Sequence, residues 1–204
     1  MSETVKRPQH QIRRANMRDA DVMSSVLARA FATNPFVRWI LPDDDHYARI
    51  GDSFFRMAVE QDLAHGEVYT DDAIGGAALW LPPGSASPGL SEQLKMGLQL
   101  LKVVGSRTLV AAPALMKFEN ARPTRPHWYL TVLGTDPALQ GQGLGGALIN
   151  PILDRCDESG MPAYLESSNP ENVSYYQRFD FEVTGEVGYR GGPTIPLMLR
   201  EPRR

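Results

Sequence analysis

Gln140-Gly141-Gln142-Gly143-Leu144-Gly145-Gly146 is the stretch whose reading decides the fold. Upstream lies the hydrophobic run His127-Trp128-Tyr129-Leu130-Thr131-Val132-Leu133-Gly134, which has strand character. Downstream, Leu144, Leu148, Ile152 and Cys156 recur every four residues, flanked by Ile149 and Leu153. That spacing predicts a helix opening on the glycines. Glycines let the backbone approach an anion closely, and the first amides of a helix have no partner within it. Strand, loop and helix start together form an anion site, and a pyrophosphate is the ligand such a loop most often holds.

Gly141-x-Gly143-x-x-Gly146 also satisfies the dinucleotide fingerprint, and Glu166 stands 20 residues beyond Gly146, where a ribose-binding carboxylate is sought. The context argues against it. The polar segment Thr135-Asp136-Pro137-Ala138-Leu139-Gln140 separates strand from glycines, and too little chain follows to complete a doubly wound domain. No Gly-Lys-Ser/Thr is present, so a nucleoside triphosphate loop is unsupported. Coenzyme A suits the loop better.

Gln140-x-x-Gly143-x-Gly145 after a strand resembles the Q/R-x-x-G-x-G/A acetyl-CoA loop of the GCN5-related N-acetyltransferases (GNAT family). Asp136-Pro137 before it, Tyr164-Leu165-Glu166-Ser167, and Asn172 with Tyr176 downstream strengthen the likeness. The layout of nearly the whole chain is similar to the puromycin N-acetyltransferase branch. That similarity rests on Trp128-Tyr129-Leu130, Pro162 to Ser168 and Asn172-Val173-Ser174-Tyr175-Tyr176.

A chain of 204 residues is most simply one domain, able to bury roughly 70% of the surface its unfolded form exposes. We expect a flexible tail over residues 1–10 and an acetyltransferase domain over 11–204. A hydrophobic fraction of 42% and a charged fraction of 22% are ordinary for a globular protein. A net charge of -3 gives no reason to expect a nucleic-acid partner. The single cysteine, Cys156, excludes an internal disulfide, fits a reducing compartment, and reads as a small core residue on the apolar stripe. No apolar run of 18 residues stands out, so a cytoplasmic protein without membrane contact is expected. Nothing in the sequence indicates an oligomeric state, and no metal is expected.

Taken in order, Gln11 to Ala15 could form a short first strand. Asp19 occupies a helix N-cap position ahead of a face traced by Val22, Met23, Val26, Leu27, Ala30 and Phe31, and Asn34-Pro35 is expected to end that helix. A second amphipathic helix is expected over 46–65. The acidic triplet Asp43-Asp44-Asp45 before it is read as a solvated loop, or as an attractor for a cationic amine. Glu67 to Thr70 and Ala77 to Leu81 read as a hairpin, followed by a breaker-rich loop over 82–89. Two helical segments follow, over 90–104 and 107–120. Leu90, Leu94, Leu98 and Leu101 on one face imply burial against the sheet, or an acceptor cavity lining. Pro151 predicts a kink or local break near Asn150. Strands near 162–167, 181–184 and 195–199, with a short helix over 170–178, complete an α/β domain with a mixed sheet of six or seven strands flanked by helices.

The resemblance implies a cosubstrate, acetyl-CoA, and a set of roles. Pantetheine would lie along Leu133-Gly134-Thr135 as an added strand, and pyrophosphate on the amides of Gln140, Gly141, Gln142, Gly143, Leu144, Gly145 and Gly146. Asn172 would contact the cosubstrate, and Tyr176 would face the thioester sulfur, with Tyr175 as the competing candidate. Where the family usually has Gly-Phe after this helix, the chain has Asp180-Phe181, and Asp tolerates a left-handed turn at modest cost. Some relatives carry a base carboxylate on the cofactor strand. Tyr129 and Thr131 stand there instead, so that role does not transfer. Glu166 is the best-placed candidate base, with capping of the next loop as the equal alternative. His127 reads as a surface or packing residue. The acceptor is read as a primary amine of a small molecule. A protein N-terminus or lysine is the second reading, and a non-catalytic acyl-CoA-binding module the third.

Overall fold

Residues 10–84 and 90–203 are described in a computed structural model of the chain. In chain order they form β1 (Ile12–Arg14), α1 (Ala20–Ala30), α2 (Pro35–Ile40), α3 (Asp44–His65), β2 (Glu67–Asp71), β3 (Gly76–Leu81), α4 (Leu90–Val104) and α5 (Thr108–Ala121). Then follow β4 (Trp128–Thr135), α6 (Leu144–Ser159), β5 (Ala163–Glu166), α7 (Val173–Gln177), β6 (Glu182–Gly188) and β7 (Thr194–Arg200). The seven strands make one sheet in the order β1-β2-β3-β4-β5-β7-β6. Every neighbouring pair is antiparallel except β4–β5, whose parallel pairing is reached through the α6 crossover.

Strand alternation sends residues to two apolar layers. Ala78 and Trp80 of β3, Trp128 and Leu130 of β4, Ala163 and Leu165 of β5 and Met198 of β7 pack against α6, through Leu144, Leu148, Ile149, Ile152 and Cys156. Ala77 and Leu79 face the other way, toward residues of α1, α2, α3, α4 and α5. Cys156 is fully buried, and burial pushes its thiol pKa up to about 12, as a core residue requires. The break expected near Asn150 is absent: α6 runs unbroken through Pro151, held by its buried neighbours Leu148, Ile149 and Ile152.

Three local expectations are corrected. Asn34-Pro35 starts a helix rather than ending one. α1 stops at Phe31, and the Asn34 side-chain oxygen accepts from the amides of Phe36 and Val37, both at 3.1 Å, with Pro35 in the first helical turn. Asp43-Asp44-Asp45 opens a helix rather than forming a loop. Asp43 caps α3 by accepting from the His46 amide at 2.6 Å, and Asp44 and Asp45 fill the acidic first turn. Finally, Leu94, Leu98 and Leu101 are each more than half exposed, and α4 turns Leu100 and Val104 inward instead. Apolar side chains nearly encircle α4, so periodicity alone could not say which arc the core takes. The side chain of Leu90 lies outside the described set.

Gly97–Ala121 also proves long and apolar enough, by length and composition only, to cross a membrane, with 22% of its most apolar window buried. A single 3-10 turn, Gly105–Arg107, divides it, and Arg107 there donates to the carbonyls of Trp39 and Ile40 at the end of α2.

α1 lies directly under the end of β4. A Cβ placed on Gly134 would stand 2.7 Å from Leu27 Cδ2 and 3.0 Å from Phe31 Cε2. Gly134→Ala should therefore overpack this seam and cost about 1–3 kcal/mol, read as a lowered urea midpoint at unchanged m-value.

Candidate active site

β4 is paired on both edges only for its first half. On one side it runs with β3 to Thr135, whereas its pairing with β5 covers only Trp128, Tyr129 and Leu130. At the parting point the β3 register shifts: Leu79 faces Val132 and Trp80 faces Leu130, so Thr131 is an unpaired, bulged residue. The bulge re-aims side chains. Thr131 and Val132 both turn away from α6, and Leu133 returns to the α6 layer. From Thr131 to Thr135 the β5-side edge of β4 carries no strand among the described residues, an arrangement that can receive an extended ligand as an extra strand. Leu133, Gly134 and Thr135 lie on this edge.

Beyond Thr135 the chain is pinned before it reaches the glycines. Asp136 accepts from the Ala138 amide at 3.0 Å and binds Arg29 of α1 through two hydrogen bonds of 2.7 and 2.9 Å. The Arg29 guanidinium holds the Asp136 carboxyl below its ordinary pKa. Gln142 donates from its side chain to Ala138 O, and the ring of His10 lies 3.2 Å from Gln142 O.

The four glycines divide into two kinds. Gly141 and Gly143 adopt φ of 76° and 90°, with open space where a side chain would stand, so their requirement is conformational. Gly145 and Gly146 are close-approach positions instead. A Cβ on Gly145 would meet Tyr175 Oη at 2.7 Å, and one on Gly146 would meet Phe179 Cζ at 3.0 Å. Leu144 is a core residue whose side chain is sealed. Among the described residues, the first amide after Gln140 with a backbone partner is that of Ala147, which donates to Gly143 O at 3.1 Å. The preceding amides at the start of α6 are thus left for a ligand or water.

α7 brings the two tyrosines beside this loop, behind a 3-10 turn, Pro170–Asn172, that Asn169 caps. Their rings meet edge-on, with centroids 5.2 Å apart. The Tyr175 hydroxyl is sealed against Gly145 with no hydrogen-bond partner among the described residues, and burial pushes its pKa up to about 12. Tyr176 has a buried ring packed edge-on to Phe181, and burial raises its phenol pKa well above the ordinary value. Its hydroxyl makes no hydrogen bond to a described residue, yet is not among the sealed polar atoms. Asn172 is exposed and its side chain caps nothing. Asp180 takes φ 63°, the left-handed turn its position calls for, and pairs with Arg203.

Glu166 does not cap the following loop. Its Oε2 accepts from the Tyr129 hydroxyl at 2.6 Å, and its Oε1 is sealed without a partner. Burial raises its pKa, against the lowering effects of Tyr129 and Arg122. The Arg122 guanidinium lies 4.0 Å above the Tyr129 ring. Tyr164 and Tyr189 complete the surroundings, each with a phenol pKa raised first by burial and then by the Glu166 charge. His127 packs edge-on against Tyr164, as a packing residue should.

The sequence reading missed a second carboxylate, Asp62 of α3, which is 3% exposed. Its Oδ2 accepts from the hydroxyl of Thr131, the bulged residue. The signal was present: the buried face of α3 is Tyr47, Gly51, Phe55, Val59 and Asp62, so Asp62 occupies a core position on an apolar stripe. Burial pushes its pKa up to about 6, against lowering by Thr131, Arg122 and His65. The folded chain thus holds a proton between pH 3.8 and 6 that the unfolded chain has lost. Stability from this group is complete below pH 3.8 and is lost as pH rises through 6. Asp62→Asn should therefore gain about 2–3 kcal/mol over the wild type on going from pH 4 to pH 7.5, read from urea midpoints at both pH values.

Comparison with known proteins agrees with this geometry. Residues 33–181, which include the glycine loop and α7, match the Acetyltransferase (GNAT) family. An uncharacterised N-acetyltransferase of Schizosaccharomyces pombe is 28% identical across 93% of this chain and 83% of its own. A Corynebacterium glutamicum protein described as histone acetyltransferase HPA2 and related acetyltransferase superposes with a TM-score of 0.72 at 25% identity, covering 97% of this chain and 98% of that one. Arylalkylamine N-acetyltransferase 2 of Aedes aegypti shares the fold, with a TM-score of 0.66 at 12% identity over 96% and 100% of the two chains. The chain belongs to the GNAT family of acetyltransferases.

Proposed function

We propose that the chain transfers acetyl from acetyl-CoA to a primary amine of a small molecule, by direct attack with both substrates bound. The observation that carries this reading is the convergence of three features at one end of β4. Among the described residues, they are an edge without a strand partner from Thr131 to Thr135, amides of the glycine loop without a backbone partner, and a tyrosine, Tyr176, whose hydroxyl is not sealed. In this reading Leu133, Gly134 and Thr135 pair with pantetheine. The amides from Gln140 to Gly146 hold pyrophosphate at the positive end of α6, a term of roughly 0.3–2 kcal/mol. Asn172 adds a side-chain contact to the cosubstrate.

Tyr176 donates a hydrogen bond to the sulfur as the thiolate forms. Its raised pKa keeps the phenol protonated, so it acts as a donor and gives up its proton only as the sulfur charge matures. Glu166 takes a proton from the acceptor nitrogen, directly or through water. A lysine-like amine must pay roughly 4.6 kcal/mol to be neutral at pH 7, whereas an amine of pKa near 8 needs about 1.4 kcal/mol. The aromatic surroundings of Glu166 (Tyr129, Tyr164 and Tyr189) and the layout similar to puromycin N-acetyltransferase support an aminoacyl-like acceptor with an apolar or aromatic portion. The histone-acetyltransferase description of the Corynebacterium relative supports the second reading, a lysine of a protein.

The test is free-thiol release from acetyl-CoA with phenylalaninamide, spermidine or a lysine peptide as acceptor. Phenylalaninamide should show the highest kcat/KM, and preference for the peptide would replace the small-molecule reading with the protein one. With phenylalaninamide, Tyr176→Phe should lower kcat by about 10²–10⁴-fold at nearly unchanged acetyl-CoA affinity. Tyr175→Phe, which deletes a sealed and unpartnered hydroxyl, should leave kcat close to wild type. Reversed effects would mean that α7 presents the other tyrosine to sulfur.

Gly143 provides the cosubstrate test. Gly143→Asn and Gly143→Asp carry a similar left-handed cost at φ 90° and differ in charge. Calorimetry should find acetyl-CoA bound at least tenfold more weakly by the Asp variant than by the Asn variant. Equal affinities would remove pyrophosphate from the loop.

A further inference from the structure

We infer that Asp62 is a second acid–base group of the acceptor site, taking the first proton from the incoming ammonium before its nitrogen attacks the thioester. The inference rests on the acetyl-transfer reading above.

The geometry of β4 carries it. Tyr129 and Thr131 stand two residues apart on that strand, and both turn away from α6. Each hydroxyl holds a carboxylate delivered by a different element: Tyr129 holds Glu166 of β5, and Thr131 holds Asp62 of α3. The strand that lacks a carboxylate of its own is thereby flanked by two. Thr131 is also the bulged residue at which β4 and β5 part, so Asp62 is anchored where the open edge begins.

The two carboxylates differ in their second oxygens. Glu166 Oε1 is sealed and unpartnered. Asp62 is 3% exposed, yet its Oδ1 makes no hydrogen bond to a described residue and is not among the sealed atoms, so the oxygen is not committed to a protein partner. Asp62 is also poorly placed for stability. It lies in the last turn of α3, where the helix dipole disfavours an anion, and its side chain receives one hydroxyl as its hydrogen-bond donor. The charges bearing on it are Arg122, from the end of α5, and His65, further along its own helix. Both favour the carboxylate, and burial opposes them. A carboxyl pushed up to about 6 accepts a proton from an amine of pKa ~8 more readily than an ordinary aspartate would.

Two carboxylates match the proton count of the reaction. An ammonium, R–NH3+, loses two protons in becoming the amide. The first passes to Asp62, freeing the nitrogen lone pair. The C–N bond then forms at the thioester carbonyl carbon, and the C–S bond breaks with its electron pair moving to sulfur. Glu166 takes the second nitrogen proton, and the thiolate is protonated from Tyr176, which recovers its proton from solvent. The balance is R–NH3+ plus acetyl-CoA giving the acetamide, coenzyme A thiol and one proton.

The experiment uses the full chain, with Asp62→Asn and Thr131→Val, and measures acetyl-CoA affinity by calorimetry and kcat/KM for phenylalaninamide from pH 5.5 to 9. Both variants should bind acetyl-CoA within twofold of wild type. Asp62→Asn should lose about 10²-fold in kcat/KM at pH 7. The deficit should narrow toward pH 9, because the acid limb moves up from near 6 to the pKa of the amine itself. Thr131→Val keeps the carboxylate but removes the hydroxyl that favours its charge, so its limb should shift upward by less. A structural role would lower stability without moving the limb. An Asp62→Asn enzyme whose limb and kcat/KM stay within twofold of wild type overturns the inference. Should that variant fail to fold, an unshifted limb in Thr131→Val overturns it equally. Absence of acetyl-CoA binding or thiol release in the wild type would instead sink the acetyl-transfer reading itself.

Discussion

A strand inside a sheet can pair its backbone on both edges, and β4 forgoes one of them beyond Leu130. Most of the candidate site follows from that forgone pairing. An unpaired edge in the middle of a sheet presents amides and carbonyls that an added strand can satisfy. The bulge at Thr131 fixes where the separation starts. Gly134 lets α1 press against the same stretch, since a side chain there would collide with Leu27 and Phe31. α1 is joined to the next segment through Arg29 and Asp136, so the open edge and the glycine loop are carried on one support.

The opposite face of β4 holds a polar cluster that a pure stability criterion would reject. Asp62 is buried and Glu166 half-buried, and each has one oxygen on a β4 hydroxyl. Arg122 favours the charged form of both, while it pairs with Glu119 at 2.7 Å and lies over the Tyr129 ring. Burial dominates at each carboxyl and raises both pKa values, which is the condition that makes a carboxyl useful as a proton acceptor near neutral pH. The stability cost and the chemical use have the same origin. An apolar replacement would pack more cheaply and could accept no proton.

Sequence patterns revealed the parts of the fold whose signals are local. The glycine loop, the α6 stripe and the β2–β3 hairpin were legible because turn chemistry and periodicity act within a few residues. Asn34-Pro35 was misread because the same pair can close one helix or open the next, and only the partners of the Asn34 side chain decide. The leucines of α4 were misplaced because apolar positions nearly encircle that helix, leaving tertiary contacts to select Leu100 and Val104. Glu166 was legible from its position at the end of a strand, although its partner Tyr129 lies 37 residues away in sequence. Asp62 was overlooked for a related reason. Its partner Thr131 is 69 residues distant, and only the buried stripe of α3 marked it.

The tyrosine pair shows how a sequence motif can conceal two different constraints. Gly145 belongs to the loop pattern, yet the atom that excludes a side chain there is the hydroxyl of Tyr175, not a ligand. Gly146 is confined in the same way by Phe179. α7 is therefore docked onto the first turn of α6 through Tyr175 and Phe179, and this docking sets its rotation. With Tyr175 committed to Gly145, the next residue must point in another direction, since neighbours on a helix are about 100° apart. Tyr176 consequently keeps its ring in the α6 layer and its hydroxyl unsealed. The third and fourth glycines of the loop thus fix which tyrosine of α7 keeps a hydroxyl outside the sealed packing.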